Sequence, residues 1–321
     1  MKFLSTVIIL IIGSSAFAQR QNVYFLKNNG KYVDLKDSAD YVRVVREPDS
    51  ASVLYNVFEF YLDGKKKLIG KSSVIDPPKF EGQCVEYYKN GSQKALGNFK
   101  DGLMVGLSYE FYTNGKLYII REYPDNKDLY NDLNDNFLIK ASYDSLGTVR
   151  VENGVGYYSG YDADFKYINE EGKVKNGKRD SVWKGYYKNV ETTFIETYKD
   201  GILIIGTGVD KDGKSTSYTK ARSAPPEFKG GVDAFGIYLS KNIYYPDFER
   251  ESNIQGKVIL SFVVEKDGKI KDIKVNKSVS PGIDHEAVRV LKSSPLWVPG
   301  IMFGKPVRVA YGVPISFSLS D

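Results

Sequence analysis

The chain has 321 residues, with 45 Lys and Arg, 40 Asp and Glu, and a formal net charge of +5 at pH 7. Its apolar fraction of 42% is typical of a folded protein, and the length predicts about two domains. Positive and negative residues are interspersed without a basic block, so the composition argues against a nucleic-acid partner. The 25 tyrosines favour half-exposed β-strands, in which a ring packs while its hydroxyl stays in water.

The first residues have the pattern of a secretory signal peptide. Lys2 gives a basic start, residues 3–12 are apolar, and Ala16-Phe17-Ala18 matches a cleavage signal. We therefore predict a signal peptide over residues 1–18 and a mature, exported chain that begins at Gln19. An uncleaved anchor is the alternative, although the apolar run is shorter than the roughly 20 residues of a membrane-spanning helix. Membrane association accordingly stays open.

One sequence word recurs in the first half of the chain. It appears as FEFYLDGK (Phe58–Lys65), VEYYKNGS (Val85–Ser92) and YEFYTNGK (Tyr109–Lys116), with turn glycines 27 and then 24 residues apart. Weaker copies surround Gly177 and Gly201. Such periodicity predicts an array of structural repeats, each a strand, an Asn-Gly or Asp-Gly hairpin turn and a second strand.

Several motifs in this region resemble binding sites without having the required context. Residues 208–215, GVDKDGKS, match a phosphate-binding loop, but no helix-forming sequence follows, so we interpret them as a hairpin with the turn Asp212-Gly213. The acidic stretch 125–136 lacks the glycine and closing Glu of a calcium loop, so we predict a solvated surface loop. Cys84, the only cysteine, is predicted to be a small buried apolar residue.

No constellation of residues in the sequence indicates catalysis or a metal site. His285 is the only histidine, and it lies near the start of a predicted helix capped by Asp284. With one His and no Ser or Cys in a nucleophile setting, no catalytic triad can be assembled. We therefore predict no catalytic residues, no bound metal, no cofactor and no nucleotide.

The last hundred residues have a different pattern, which begins after the Pro- and Gly-rich stretch 222–231. Helical spacing of apolar residues that starts at Val232 predicts a helix over 232–243, and strict alternation over 258–264 predicts the first strand of a hairpin. A second helix is predicted at Asp284–Leu291, and one long final strand at Val307–Leu319. The predicted fold is a small α+β sandwich with two helices on one face of a three-stranded antiparallel sheet.

This C-terminal segment strongly resembles the TonB C-terminal domain family. The matching words occur in order as IYYP (243–246), IQGKVILSFVVEKDGKIKDIKV (254–275), DHEAVRVLKSSPLWVPG (284–300) and GKPVRVAYGVPISFSL (304–319). The preceding array resembles the MORN-like repeats of exported bacterial proteins, most clearly in FKDGLMVGLSYEFYTNGKL. We therefore expect a mostly antiparallel α+β protein with a signal peptide at 1–18, a MORN-like β-repeat region at 19–222 and a TonB C-terminal domain at 223–321.

The resemblance implies a binding protein of the periplasm or cell envelope that captures peptide segments of outer-membrane receptors by β-strand addition. Pro314 lacks an N–H and so predicts that the final strand lies at a sheet edge or bulge. Carried over by position, the predicted partner-binding residues are Tyr244, Tyr245, Pro246, Val307, Arg308, Val309, Ala310 and Tyr311.

Two other interpretations stay open. The chain could be a true energy transducer if its N-terminus is an uncleaved anchor, because such a transducer needs an inner-membrane helix. It could also be a structural or adhesive envelope scaffold in which both parts serve assembly alone. Other envelope proteins are alternative partners.

Overall fold

The structure is a computed structural model that describes residues 20–125 and 137–319. The predicted signal peptide and most of the acidic stretch 125–136 lie outside the described residues. The chain forms two compact units, Met1–Leu129 with Ile139–Arg150 and Tyr130–Leu138 with Val151–Asp321. Neither boundary coincides with the predicted one at 222/223, which stays a prediction.

The described residues are mostly antiparallel β-structure. The strands are β1 Gln21–Leu26, β2 Tyr32–Val33, β3 Tyr41–Arg46, β4 Tyr55–Tyr61, β5 Lys66–Ser72, β6 Phe80–Tyr87, β7 Gln93–Lys100, β8 Leu103–Phe111, β9 Leu117–Tyr123, β10 Leu138–Tyr143, β11 Val149–Glu152, β12 Val155–Tyr161, β13 Ile168–Lys175, β14 Lys178–Tyr187, β15 Thr192–Lys199, β16 Ile202–Val209, β17 Ser215–Tyr218, β18 Ser223–Ala224, β19 Gly256–Val264, β20 Ile270–Lys277, β21 Gly300–Met302, β22 Lys305–Val307 and β23 Val309–Phe317. The α-helices are α1 Gly231–Asn242, α2 Asp247–Glu251 and α3 Pro281–Lys292. None of the described helices is long and apolar enough to cross a membrane.

In the first unit, the repeated word forms the hairpins that its turn residues predict. Strands β3 to β9 each pair antiparallel with the next strand in sequence. In the first copy, Gly64 has a φ of 85°, a left-handed conformation in which glycine carries no steric cost. The Asp63 carboxylate accepts a hydrogen bond from the Lys65 N–H at 3.2 Å and so stabilises the turn.

A tyrosine in each copy of the word links its hairpin to the next one. The hydroxyl of Tyr61 donates to the carbonyl oxygen of Tyr87 at 2.8 Å. The hydroxyl of Tyr88 donates to the carbonyl oxygen of Phe111 at 2.6 Å, and the hydroxyl of Tyr112 donates to the carbonyl oxygen of Tyr143 at 2.9 Å. We call these three contacts the hydroxyl ladder. They give the repeated Tyr a structural role that composition alone does not indicate.

The glutamate of the first word is a buried charge with two cationic partners. Glu59 is 3% exposed, and its carboxylate lies 2.8 Å from the Arg43 guanidinium and 2.5 Å from the Lys67 ammonium. The corresponding Glu110 pairs with Arg121 on the adjacent strand. Each copy of the word thus places a carboxylate where the neighbouring strand supplies a cation.

In the second unit, strands β12 to β17 pair consecutively in one antiparallel meander, which we call the second array sheet. Trp183 on β14 is fully buried at its centre. The phosphate-loop look-alike joins β16 to β17 as a hairpin loop, in which Gly213 donates its N–H to the carbonyl of Asp210 at 2.9 Å. This is the strand–turn–strand conformation that the sequence predicted.

The C-terminal domain is a three-stranded antiparallel sheet in the order β20-β19-β23, with α1 and α3 contributing to the core on one face. The predicted alternation on β19 is confirmed, because its buried residues are at most 1% exposed; these are Val258, Leu260, Phe262 and Val264. Three helix details differ from the prediction. Val232 is 85% exposed, since it lies on the solvent side of α1. The helix α3 begins at Pro281, and Ser280 caps it in place of Asp284 by accepting the N–H of Ile283.

The sequence missed the short helix α2 and a second small sheet, in the order β18-β21-β22. The predicted single strand Val307–Leu319 is divided at Arg308, because β22 pairs with β21 whereas β23 pairs with β19. The stretch after Arg222, predicted as a boundary, is also part of the fold. It contributes β18, a bridge between Glu227 and Val298, and the buried ring of Phe228.

Candidate functional site

The outer edge of β23 is the principal candidate site. This strand pairs with β19 without a register shift, from Val264 opposite Val309 to Gly256 opposite Phe317. In the described part of the chain no strand pairs with the other side of β23. An unpaired edge of nine residues offers backbone donors and acceptors to an extended peptide.

Two observations show which backbone groups of β23 face outward. Pro314 has no N–H, and within sheets proline directs its nitrogen away from the ladder. A side chain built at Gly312 would lie 3.5 Å from the carbonyl oxygen of Leu260, so this carbonyl points toward β23 and pairs with Val313. Both observations indicate that the backbone N–H and C=O groups of the even-numbered residues of β23 face away from β19. The outward N–H groups are those of Ala310, Gly312 and Ser316.

The predicted site residues of the final strand have different positions. Val307 belongs to β22, and Arg308 separates the two strands. Val309 directs its backbone toward β19, whereas Ala310 directs its backbone outward and its side chain is exposed. The ring of Tyr311 packs in the core, 6.0 Å from both Phe262 and Trp297. Of these five residues, Ala310 is the one with an outward N–H in the ladder.

The side chain of Arg308 is held on its own domain. Its Nε donates to a Glu265 carboxylate oxygen at 3.0 Å, and its Nη2 donates to an Asp272 oxygen at 2.7 Å. Arg308 and Asp272 are exposed to water and Glu265 is half-buried, so these pairs contribute little stability. They nevertheless fix the direction of the chain where β22 becomes β23.

The Tyr-Tyr-Pro word lies between α1 and α2. Tyr245 is half-buried, with its ring 5.8 Å from that of Phe317 and its hydroxyl donating to the carbonyl of Ile254 at 2.6 Å. Tyr244 is 72% exposed, and its backbone N–H donates to Glu286 at 2.7 Å. Pro246 directly precedes α2, where its φ of −63° suits a helix start.

Glu286 and Arg289 support the exposed tyrosine. Burial raises the pKa of Glu286, but the hydrogen bonds from Arg289 and from the Tyr244 N–H outweigh it and hold the pKa below its usual range. The Arg289 guanidinium also lies 5.3 Å from the centre of the Tyr244 ring. The Glu286 carboxylate therefore holds the backbone of Tyr244 and the Arg289 cation holds its ring, so the exposed ring can contact a partner without much further ordering.

The predicted residues do not form one cluster. Val307 to Tyr311 surround the start of β23, whereas Tyr245 contacts Phe317 at its end. Nine residues of strand span about 30 Å. Gly312 and Ser316, which also have outward N–H groups, are not among the eight predicted residues. The signal for both was Pro314, because its nitrogen faces outward and outward N–H groups recur at every second residue of an edge strand.

In residues 20–125 and 137–319 no three His, Cys, Asp or Glu side chains are placed to hold a metal ion. The chemistry that β23 offers is backbone hydrogen bonding.

The fold and the edge define a class, namely a small α+β domain with an open antiparallel strand. Residues 241–319 match the family model described as Gram-negative bacterial TonB protein C-terminal, so the C-terminal segment carries a TonB C-terminal domain. Protein TonB from two strains of Helicobacter pylori is 33% identical over 85 residues, which are 26% of this chain and 28% and 29% of those proteins. The chain therefore spans less than a third of the length of the curated relatives it matches. A solution NMR structure of the Helicobacter pylori TonB C-terminal domain aligns with 28% identity over 28% of this chain and 98% of that chain, with a TM-score of 0.23.

Proposed function

We propose that this protein has a TonB-like binding role in TonB-dependent transport, in which the edge of β23 captures an extended peptide segment of an outer-membrane receptor. The observation that carries the proposal is the nine-residue edge that pairs with β19 on one side only. The match of residues 241–319 to the TonB C-terminal family supports the same role. The proposal places the protein in the periplasm or cell envelope and assigns it binding without catalysis.

In the proposed complex, the peptide pairs with the outward groups of Ala310, Gly312 and Ser316. Backbone pairing supplies the affinity, and the exposed Tyr244 ring adds a side-chain contact beyond the end of the strand where Tyr245 packs on Phe317. The array carries this domain, and we also propose that its hairpins are MORN-like repeats. The support for that part is the repeated word and its antiparallel hairpins.

The test removes one outward donor. The full mature chain is titrated with synthetic peptides from the N-terminal segments of outer-membrane receptors of the same bacterium. Ala310→Pro deletes one N–H and should weaken binding about threefold to tenfold, because a net hydrogen bond contributes about 0.5–1.5 kcal/mol. Ala310→Ser keeps the N–H and is the matched control. Val309→Pro would not test the outer edge, since the N–H of Val309 faces β19.

Circular dichroism verifies that each variant is folded. Unchanged affinity of a folded Ala310→Pro variant would show that the peptide binds elsewhere. If no receptor peptide binds the unmodified chain, the interpretation as an envelope scaffold replaces the binding role.

A further inference from the structure

The β21–β22 hairpin has an unusual residue at its tip. Met302 is paired with Lys305, so the loop consists of Phe303 and Gly304, which have φ values of 49° and 73°. Such two-residue loops favour Asn-Gly or Asp-Gly, because both positions are left-handed. For a bulky residue like Phe the left-handed conformation costs about 1–2 kcal/mol. A contact elsewhere must offset this cost.

That contact is with the second array sheet. Phe303 is 2% exposed, and its ring centre lies 5.7 Å from Phe194, 5.9 Å from Tyr187 and 6.0 Å from Tyr218. Each aromatic pair of this kind contributes about 0.5–1.5 kcal/mol beyond the buried area. A side chain at Gly208 would come within 3.0 Å of the Phe303 Cβ, so the glycine leaves room for the ring.

Polar contacts surround this aromatic group. The ammonium of Lys305 lies 2.6 Å from the Asp210 carboxylate, and this hydrogen bond holds the pKa of Asp210 below its usual range. The N–H of Phe303 donates to the carbonyl of Arg222 at 2.6 Å. The Arg222 side chain in turn binds Glu196 on β15 at 2.6 Å. The hairpin therefore contacts three strands of the second array sheet, β14, β15 and β17, the β16–β17 loop, and the segment that joins the array to the domain.

We propose that this hairpin, Gly300–Val307, is a docking hairpin, and that the end of the second array sheet is its dedicated partner surface. The strained Phe303 inserts between Phe194, Tyr187 and Tyr218 and holds the C-terminal domain on the sheet. Arg308 alone separates the docking hairpin from β23. The array consequently fixes the direction of the β23 edge, and the domain does not swing on a flexible spacer.

The key variant keeps the turn and removes the ring. Asn is favoured in left-handed turns, so Phe303→Asn preserves the hairpin while deleting the inserted side chain. Spin labels at Lys175→Cys on the sheet and Ser240→Cys on α1 report the separation of the two parts, because both positions are exposed. Cys84 is buried and does not take up label. Asp267→Asn, at the β19–β20 turn of the same domain, is the matched control.

We expect one narrow distance distribution in the unmodified background and in Asp267→Asn, and a broad one in Phe303→Asn. Amide exchange over 206–210 and 300–305 should become at least about tenfold faster in Phe303→Asn, while α3 keeps its protection and shows that the domain is folded. A broad distribution in the unmodified background, or a narrow one in a folded Phe303→Asn variant, would overturn the proposal. Neither outcome depends on peptide binding to β23.

Discussion

Arg222 and its two glutamate partners form a buried charge network. Arg222 lies 2.6 Å from Glu196, which is fully buried, and 3.1 Å from Glu170. Arg222→Ala would leave the buried Glu196 carboxylate with its two tyrosine hydroxyl donors but without a bound cation, so we expect a loss of about 3–5 kcal/mol in the free energy of unfolding. Urea unfolding followed by circular dichroism measures it. Lys211→Ala is the control, since Lys211 forms an exposed pair with Glu191, and an equal loss in both variants would contradict the prediction.

The same network should make stability depend on pH. Burial raises the pKa of Glu196, but the hydrogen bond and charge of Arg222 outweigh it and hold the pKa below the ordinary 4.5. A pKa lowered by folding contributes stability that is present above pH 4.5 and is lost as the pH falls through the folded value. The difference in unfolding free energy between the unmodified chain and Glu196→Gln should therefore shrink as the pH falls from about 7 to below 4. A difference that stays constant over this range would refute the role of the ionised carboxylate.

Cys84 is buried as the sequence predicted, and its thiol should be inert. Burial, with smaller effects of Glu86 and Glu59, raises the pKa of Cys84 to about 12. Because the thiolate is the reactive form, iodoacetamide at mildly alkaline pH should label the folded chain far more slowly than the chain in urea. Mass spectrometry measures the modified fraction. Equal labelling rates in the two states would show that Cys84 is accessible.

Among the elements, the hydroxyl ladder is the most direct product of the repeated word. Tyr88→Phe deletes the hydroxyl that donates to Phe111 and leaves that carbonyl without its partner. We expect a loss of about 1 kcal/mol in the free energy of unfolding, measured in urea. Tyr87→Phe, at the preceding position of the same word, removes a hydroxyl that takes no part in the ladder, keeps the Tyr87 carbonyl that accepts from Tyr61, and should cost less. A larger loss for Tyr87→Phe would mean that the ladder does not stabilise the array.

The sequence predicted those elements whose determinants are local. The alternation of β19 and the Asn-Gly and Asp-Gly turns each follow from a few adjacent residues, and the structure has them. The docking hairpin was missed because Phe303-Gly304 lacks the usual turn residues, and its stabilising contacts come from strands far away in sequence. The division of the last strand at Arg308 was missed for a similar reason, since alternation continues across it while the pairing partner changes.

For the candidate site, Pro314 predicted an edge or a bulge, and β23 is indeed the edge strand of its sheet. That the N–H of Val309 faces β19 and the N–H of Gly312 faces outward follows from the pairing register, which sequence alone does not give. Whether the eight predicted residues bind a partner stays a prediction.

For the whole molecule, the docking hairpin predicts an effect of removing the C-terminal domain. A chain that ends at Arg222 would uncover Phe194 and Tyr218, which are 3% and 7% exposed with the hairpin in place. We expect such a chain to keep β-structure by circular dichroism and to bind the dye ANS, because a new apolar patch faces solvent. Phe303→Asn in the full chain should show weaker dye binding. A folded truncated chain that binds no dye would contradict the prediction.

The hydroxyl ladder has a consequence for how this protein could change in length. The second and third copies of the word each carry both an acceptor, the carbonyl of Tyr87 or Phe111, and a donor, the hydroxyl of the tyrosine that follows, so a further unit of this kind fits between them. A duplication of the 24 residues from Tyr88 to Phe111 would insert one more rung with both contacts already provided. Recombination in the gene that adds or removes whole units would change the length of the array and leave the residues that bind the C-terminal domain unaltered.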